Sequence, residues 1–231
     1  MAMTPETFLG LLQFADGLFP TGAFAHSMGL EAYARADALE SAEKVKALVE
    51  VQLECAVGPA DTVAMLSTLK AARRGELAAV FELDQVLDAM KPVAELRNAS
   101  RQMGRQTARV AAALTEDVRL AEFYRRSQSE HTPGHHAVAF GLTGGAMGWD
   151  ERAASCAYLY GAGALMVSAA VKLLPLGQLA GQRILWSLHP LIARLTREAE
   201  GKSVDDMWSF VPALEIAAMR HGGMDARLFR S

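Results

Sequence analysis

The sequence has few cysteines, few aromatic residues and no dominant charge sign. Only two of its 231 residues are cysteine, Cys55 and Cys156, and both lie in apolar surroundings far apart in the chain. This pattern argues against a disulfide framework or a Cys-x-x-Cys metal site and predicts buried thiols in a reducing compartment. The net charge of −3 and the sequence pI of about 6.1 disfavour nucleic acid as a partner.

The sequence also lacks a secretory signal of the usual form. Ala23–Ala25 imitates a cleavage site, but Glu6, Asp16 and Pro20 precede it where a basic end and an apolar run belong. We therefore expect a cytoplasmic protein. The long uncharged stretch 153–171 is rich in Ala, Gly and Ser, and its weak apolar character favours a buried central helix over a membrane span.

Sustained period-2 alternation is missing as well, whereas helix caps and helix stops recur along the chain. The pattern predicts an all-α, single-domain bundle over residues 1–231 with roughly nine to eleven helices. The predicted helices run from Thr4 to Gly17, Ser41 to Gly58-Pro59, Asp61 to Gly75, Pro92 to about Leu114, Asp150 to Pro175, Gln178 to Glu200, and Pro212 to His221; a separate, shorter helix follows Leu114 and runs through Tyr124.

Glycines are unusually dense in two of the segments that we assign as helical. They occur at positions 141, 144, 145, 148, 161 and 163. Glycine destabilises a helix interior by roughly 1 kcal/mol relative to alanine, so a compensating gain is expected. We expect that gain to be close packing between helices.

The segment Phe19–Tyr33, FPTGAFAHSMGLEAY, combines Pro, Gly, Ser, His and aromatic residues in an otherwise helical sequence. Its Ala25–Gly29 portion differs at one position from the Gly-x-Ser-x-Gly motif of serine hydrolases. No strand precedes Ser27, so a serine hydrolase that uses Ser27 is the weaker alternative. The favoured interpretation is that Ser27 caps a following helix.

Three histidines, His131, His135 and His136, raise the alternative of a nickel-binding chaperone. On a helix, adjacent His135 and His136 would diverge by about 100 degrees, and no cysteine or carboxylate stands beside them at ligand spacing. Surface or capping roles are therefore favoured, and we predict no metal site. A phosphate-binding loop ending at Gly201–Ser203 would need glycine where Thr196 stands, so no nucleotide cofactor is predicted either.

Arg97, Arg101, Arg105 and Arg109 recur at every fourth position and would form a stripe along one helical face. Like charges at this spacing repel one another, so we expect acidic groups of this fold or of another protein to face them. The alternative is a solvated face. Neither interpretation is catalytic.

Several motifs, in order along the chain, are similar to those of the urease accessory protein UreF family. They are Phe19–Ser27 with Gly29–Glu31, Glu95–Arg97, Met103–Arg105, His136–Gly141, Ser168–Leu185 (SAAVKLLPLGQLAGQRIL), Pro212–His221 and Arg227–Ser231. This resemblance covers nearly the whole chain. It implies an all-α homodimer that has no enzymatic activity of its own and acts in urease maturation.

By this resemblance the chain binds the accessory protein UreD, called UreH in some organisms. It then recruits and regulates the GTPase UreG and assists GTP-dependent nickel delivery to the urease apoprotein. In the family the tail and the N-terminal region are associated with UreD, and the dimer surface with UreG. The resemblance and the arginine stripe together mark these positions for partner binding: Phe19, Pro20, Phe24, His26, Ser27, Arg97, Arg101, Arg105, Lys172, Gln178, Gln182, Arg183, His221, Arg227, Leu228 and Phe229.

The C-terminal tail departs from the family pattern. Family members usually follow the tail histidine with Glu and a polar run, but His221 is followed here by Gly222-Gly223-Met224. Because glycine frees the backbone, this departure predicts a flexible tail over residues 222–231.

Overall fold

Capping residues and apolar periodicity place the helices of this chain. The computed structural model describes residues 3–36, 39–224 and 226–230, and this part of the chain contains no β-strand. The predicted all-α class is confirmed. The α-helices are α1 Pro5–Ala15, α2 Leu30–Arg35, α3 Ala42–Gln52, α4 Val63–Arg73, α5 Leu77–Ala89, α6 Ala94–Thr115, α7 Val118–Gln128, α8 His136–Met147, α9 Glu151–Leu173, α10 Gln178–Ser187, α11 His189–Ala199 and α12 Pro212–His221.

Three predicted N-caps are confirmed by their hydrogen bonds. The side chains of Thr4, Ser41 and Asp150 accept backbone N–H groups at the starts of α1, α3 and α9. Each bond satisfies a donor that the helix itself leaves without a partner. These helices therefore begin where local sequence dictates.

The predicted helix end at Gly58-Pro59, and the restart at Asp61, are wrong. A π-helical segment, Leu53–Thr62, joins α3 to α4, so the helix continues through the proline. The wider π turn leaves backbone carbonyls that need other donors. The Thr62 hydroxyl donates to the Val57 carbonyl at 2.9 Å, and the Phe210 N–H donates to the Cys55 carbonyl at 2.8 Å.

Two further differences concern α5 and α10. Helix α5 has no counterpart among the predicted helices. The single helix predicted from Gln178 to Glu200 is two helices, which meet at the buried Leu188. Pro190 lies in the first turn of α11, where its missing N–H is tolerated, but its ring prevents continuous helix from α10.

Helix α8 lies at the centre of the fold because its glycines allow neighbouring helices to approach closely. A Cβ atom on Gly141 would lie 2.3 Å from the Met65 carbonyl oxygen of α4. On α6, a Cβ atom on Gly104 would lie 2.1 Å from the Gly134 carbonyl oxygen before α8. The expected close packing is confirmed at Gly141, Gly144 and Gly145 but is wrong for Gly148 and Gly161, where a Cβ would meet nothing within 4 Å.

Helix α9 is long and apolar enough to cross a membrane by length and composition alone, and half of its most apolar window is buried inside the fold. Its buried side includes Leu159 and Met166, and it packs against α1 to α4, α8, α10 and α11. The other side lines an open groove. Cys156 lies on α9 and is exposed, and Cys55 is half-buried, so the prediction of two buried thiols is wrong.

Candidate partner-binding site

The segment between α1 and α2, which we call the signature loop (residues 19–29), is stabilised by its own buried residues and their hydrogen bonds. Ser27 is fully buried, its carbonyl accepts the Leu30 N–H at 3.1 Å, and its Oγ accepts the Glu31 N–H at 3.4 Å. Both bonds stabilise the first turn of α2, but the N-cap position of that helix is occupied by Gly29, two residues after the predicted cap Ser27. Gly29 has φ +86°, and a Cβ there would lie 3.2 Å from the Leu214 carbonyl oxygen, so the loop lies directly against α12.

The predicted contact residues of this loop divide into buried and exposed ones. Phe19, His26 and Ser27 are buried and shape the loop from inside. Pro20 is exposed, and Phe24 is 49% exposed. Only these last two of the five can reach a partner directly in this conformation.

The C-terminal segment 226–230, which we call the tail, folds back onto the signature loop and α2. The Arg230 N–H donates to the Ala25 carbonyl at 2.7 Å, and the Arg35 guanidinium donates to the Ala226 carbonyl. Phe229 is only 6% exposed, whereas Leu228 is 66% exposed. The predicted flexibility of 222–231 stays a prediction; its residues 225 and 231 lie outside the described ranges.

One buried carboxylate holds this tail. Glu31, 2% exposed, accepts the backbone N–H groups of Leu228 at 2.8 Å and Phe229 at 2.9 Å. Its Oε2 also lies 3.1 Å from Nε2 of the fully buried His221. The other ring nitrogen, Nδ1, lies 2.9 Å from Oε2 of Glu95 on α6. We call Glu31, His221 and Glu95 the tail clasp.

The electrostatics of the clasp favour the charged form of Glu31. Burial acts to raise the pKa of Glu31, but the backbone donors of Leu228 and Phe229 and the His221 ring together hold that pKa below its ordinary value. Arg227 donates to Oε1 of Glu95 at 3.0 Å. His221 therefore acts as a bridge inside the protein rather than as a surface contact.

The tail, the loop and α9 meet at Lys172. Its ammonium lies 5.1 Å from the ring centroid of Phe24 and 5.6 Å from that of Phe229. Such cation–π contacts fix the position of an otherwise mobile lysine head. Phe24, Lys172 and Leu228, backed by Phe229, are therefore placed together, and we call them the composite surface.

Next to this surface lies a groove of about 540 Å³ between α9, α10, the π-helical segment and the signature loop. Gln178, Gln182 and Arg183 are exposed on α10, and the first two line the groove. The same helix exposes Leu179 and Trp186, the latter to 75%. Both were missed in the sequence, although two large apolar residues seven positions apart on one helical side are a detectable signal.

The inner wall of the groove includes several polar groups among apolar side chains. Asp61 of the π-helical segment forms an ion pair with Lys91 at 2.9 Å, and the rings of His136 and Tyr158 lie 5.5 Å apart. Burial lowers the pKa of His136 to about 4, so this ring is neutral at physiological pH. Ser100, also missed in the sequence, lines the groove as well.

Ser100 belongs to a chain of hydrogen bonds that resembles a catalytic triad. Its Oγ lies 3.0 Å from Nδ1 of His135, and Nε2 of that ring lies 2.9 Å from Asp88. Burial, aided by Lys91, lowers the pKa of His135 to about 4, which makes it a weak general base at neutral pH. The chain therefore fits a structural network better than a nucleophile site.

The arginine stripe is largely bound by this fold. Arg101 pairs with Asp88 of α5 at 2.6 Å, which confirms that an acidic group faces it. Arg97 donates to the Lys91 carbonyl at 2.7 Å, and Arg105 donates to the Arg101 carbonyl at 3.4 Å. These three side chains are half-buried, and Arg109 is exposed.

The three histidines of the nickel-chaperone alternative do not converge. His131 is exposed and bonds Ser129, His135 lies in the buried network, and His136 packs against Tyr158. Across the described ranges, no group of three or more His, Cys, Asp or Glu side chains has the arrangement of a metal site. The alternative has no geometric support among these residues.

Comparisons with known proteins identify the family to which this chain is similar. The family model for UreF matches residues 39–189. The urease accessory protein UreF of Trichodesmium erythraeum (strain IMS101) is 32% identical, over 96% of this chain and 95% of that protein. The UreF proteins of Bacillus sp. (strain TB-90) and Trichormus variabilis are 31% and 30% identical, over 96% and 100% of this chain and 98% and 99% of their own lengths. The chain therefore belongs to the UreF family.

Proposed function

We propose that this protein is a urease maturation factor that works as a non-enzymatic scaffold in the cytoplasm. Its membership of the UreF family supports a role in urease maturation, because relatives matched over nearly their whole length are named urease accessory proteins. The composite surface supports the scaffold role. It brings together an exposed aromatic ring, a cation and an apolar tail residue from the signature loop, α9 and the tail.

In this proposal the composite surface and the tail bind a UreD-type protein. Phe24 and Leu228 supply exposed apolar contact area, and Lys172 supplies a fixed positive charge. The exposed side of α10 recruits the GTPase UreG, and the protein acts as a homodimer. The assembly assists GTP-dependent nickel delivery to the urease apoprotein, and nickel is the cargo rather than a resident metal.

Co-purification tests this proposal directly. The full-length protein should capture a folded UreD-type partner, and the resulting complex should then capture UreG. Phe24→Ala combined with Lys172→Ala should weaken the first step by at least about tenfold, because the pair removes an aromatic anchor and its cation. Leu114→Ala, an exposed leucine at the far end of α6, is the matched control. Failure to capture either folded partner would refute the proposal.

The serine-hydrolase alternative is tested separately. Ser27 is fully buried, so a reactive-serine probe should label the wild-type protein and Ser27→Ala equally. Ser100→Ala serves as a second comparison, because Ser100 faces the groove. Loss of labelling in either variant would favour an enzyme.

A further inference from the structure

The groove beside the composite surface is lined by a buried hydroxyl group for which the described part of this chain supplies no acceptor. Tyr158 is only 8% exposed and lines the groove. Burial and the nearby charge of Asp61 raise the pKa of this hydroxyl well above its ordinary value, and no hydrogen bond from the described residues acts on it. A buried phenol O–H group normally has an acceptor. The acceptor for Tyr158 therefore comes from outside these residues.

The ring of His136 adds a second polar group at the same place. Its centroid lies 5.5 Å from that of Tyr158, and it too lines the groove. Because burial lowers its pKa to about 4, the neutral ring presents one N–H donor and one acceptor nitrogen at physiological pH. Within the described ranges, neither nitrogen has a hydrogen-bond partner.

Ser100 supplies a further acceptor on this wall. Nε2 of His135 lies 2.9 Å from Asp88, so we assign the proton of this neutral ring to Nε2, which leaves Nδ1 as an acceptor. The Ser100 hydroxyl then donates to Nδ1 at 3.0 Å and keeps its own lone pairs as acceptors at the groove. We call Ser100, His136 and Tyr158 the polar wall.

The surroundings of the polar wall carry no net charge. Asp61 and Lys91 form an ion pair at 2.9 Å, and their side chains are only 10% and 20% exposed. The other charged side chains that line the groove are Lys172 and Asp16, both exposed, and the half-buried Glu215. A charged ligand group at the polar wall would lose its hydration without gaining a counter-ion. A neutral polar group therefore fits this wall.

We propose that the groove binds a small neutral molecule that carries a carbonyl group, such as an amide, on an apolar body. The carbonyl oxygen accepts the Tyr158 O–H, and the apolar body packs against groove side chains such as Met90 and Met103. Methionine side chains adapt to ligands of varied shape, and a volume of about 540 Å³ is typical of small-molecule sites. This site goes beyond the scaffold function proposed above and needs no partner protein.

Fluorescence titration of the full-length protein with prodan tests the proposal. Prodan is a neutral naphthalene that carries a propionyl ketone, so its oxygen can accept from Tyr158 while its rings occupy the apolar part of the groove. We expect a saturable blue shift of its emission with one site per chain. Hexanamide should displace it at a concentration at least about tenfold lower than hexanoate, whose charge is disfavoured at the polar wall. Unsaturable binding, or equal displacement by the two competitors, would overturn the proposal.

Tyr158→Phe separates a ligand contact from a merely structural role. The change removes only a hydroxyl group that has no partner within the described residues, so the melting temperature should stay unchanged. Prodan affinity should fall by at least about fivefold, because the donor to its ketone is lost. Tyr124→Phe, half-buried on α7 and outside the groove, is the matched control and should keep the wild-type affinity. Wild-type affinity in Tyr158→Phe would show that water satisfies the hydroxyl and would overturn the proposal.

Gly161→Phe tests the location of the site. Gly161 lines the groove, and a Cβ atom there would meet nothing within 4 Å, so the new ring can occupy the groove without displacing the helices. This variant should lose prodan binding. Gly177→Phe adds the same side chain in open space at the start of α10, where the residue does not line the groove, and should keep it. Circular dichroism checks that both variants fold, and retained binding in a folded Gly161→Phe protein would contradict the proposal.

These experiments and the capture of partner proteins have separate outcomes. Absence of prodan binding would contradict the ligand site and leave the scaffold function standing. Failure to bind a UreD-type protein would contradict the function and leave the ligand site standing.

Discussion

Two regions of this molecule use the same device, a buried carboxylate that accepts neighbouring backbone N–H groups and has a histidine beside it. Asp84 on α5 accepts the Gly134 and His135 N–H groups at 2.6 and 2.8 Å and the Thr132 hydroxyl at 2.6 Å. Glu31 on α2 accepts the N–H groups of two tail residues in the same manner. Both carboxylates accept backbone N–H groups, but the segments that they hold differ in how firmly they are attached to the fold.

The difference lies in what surrounds each carboxylate. The Asp84 loop is joined to helices at both ends and is pressed against Gly104 of α6. The described tail is held to the fold by its bonds to Glu31, Arg35 and Ala25, and Leu228 remains exposed. We conclude that the first carboxylate belongs to the core and the second to a detachable segment. The predictions below test that distinction.

Asp84→Ala should have the largest effect. It leaves two buried N–H groups and a hydroxyl without an acceptor, so the free energy of unfolding should fall by about 4 kcal/mol. Urea unfolding followed by circular dichroism measures this loss. Glu82→Ala, exposed on the same helix, is the control and should change stability by less than about 0.5 kcal/mol. A loss below 1 kcal/mol for Asp84→Ala would contradict the core assignment.

Gly104→Ala should destabilise the same region by about 3 kcal/mol, because the new methyl group meets backbone atoms that cannot move aside. Gly161→Ala is the matched control. It places the same methyl group in open space on α9, where the higher helix propensity of alanine should leave stability unchanged or slightly increased. Equal melting temperatures for the two variants would refute the close approach of α6 to the loop.

Stability should fall between pH 6.5 and pH 4.5 because of His135. Its pKa is lowered from the ordinary 6.5 to about 4 in the fold, so the unfolded chain binds a proton that the folded chain refuses. The stabilisation is complete above pH 6.5 and is lost as pH falls, by about 2 kcal/mol at pH 4.5. His135→Asn should flatten this slope. His136, whose pKa is lowered similarly, is tested in parallel with His136→Phe.

Glu31→Ala should lower the free energy of unfolding by only about 1.5 kcal/mol, because the tail can leave and expose its N–H groups to water. Trypsin should then cut after Arg227 faster than in the wild-type protein. A loss as large as that of Asp84→Ala would mean that the tail is part of the core.

Deletion from Gly223 onward should have the smallest effect on the fold, about 1 kcal/mol, because water replaces the hydrogen bonds that Glu31 and Glu95 lose, and the ring of Phe229 is the main buried apolar group removed. The helical circular dichroism signal should be retained, while binding of a UreD-type partner should fall. An unfolded truncated protein would show that the tail is essential to the fold.

The accuracy of sequence-based prediction depended on the range of the interactions involved. Caps at Thr4, Ser41 and Asp150 were predicted correctly because each involves atoms within three residues. The helical path through Gly58-Pro59 was not predicted; one carbonyl of this segment, that of Cys55, is paired with the N–H of Phe210, far away in the chain. Glu31 lay within a recognised motif, but its partner Leu228 is 197 positions away, and no local pattern reveals that pairing.

The amino-acid sequence by itself determined the all-α class, the starts of α1, α3, α9, α10 and α12, and the close packing around the glycines of α8. These follow from backbone capping, apolar periodicity and side-chain size, all of which act locally. The tertiary structure alone decided that the tail lies on the signature loop, that Lys172 lies near two phenylalanine rings, and that His221 bridges two carboxylates. These contacts join residues remote in the chain, and the free energy that orders them is available only after the helices have packed.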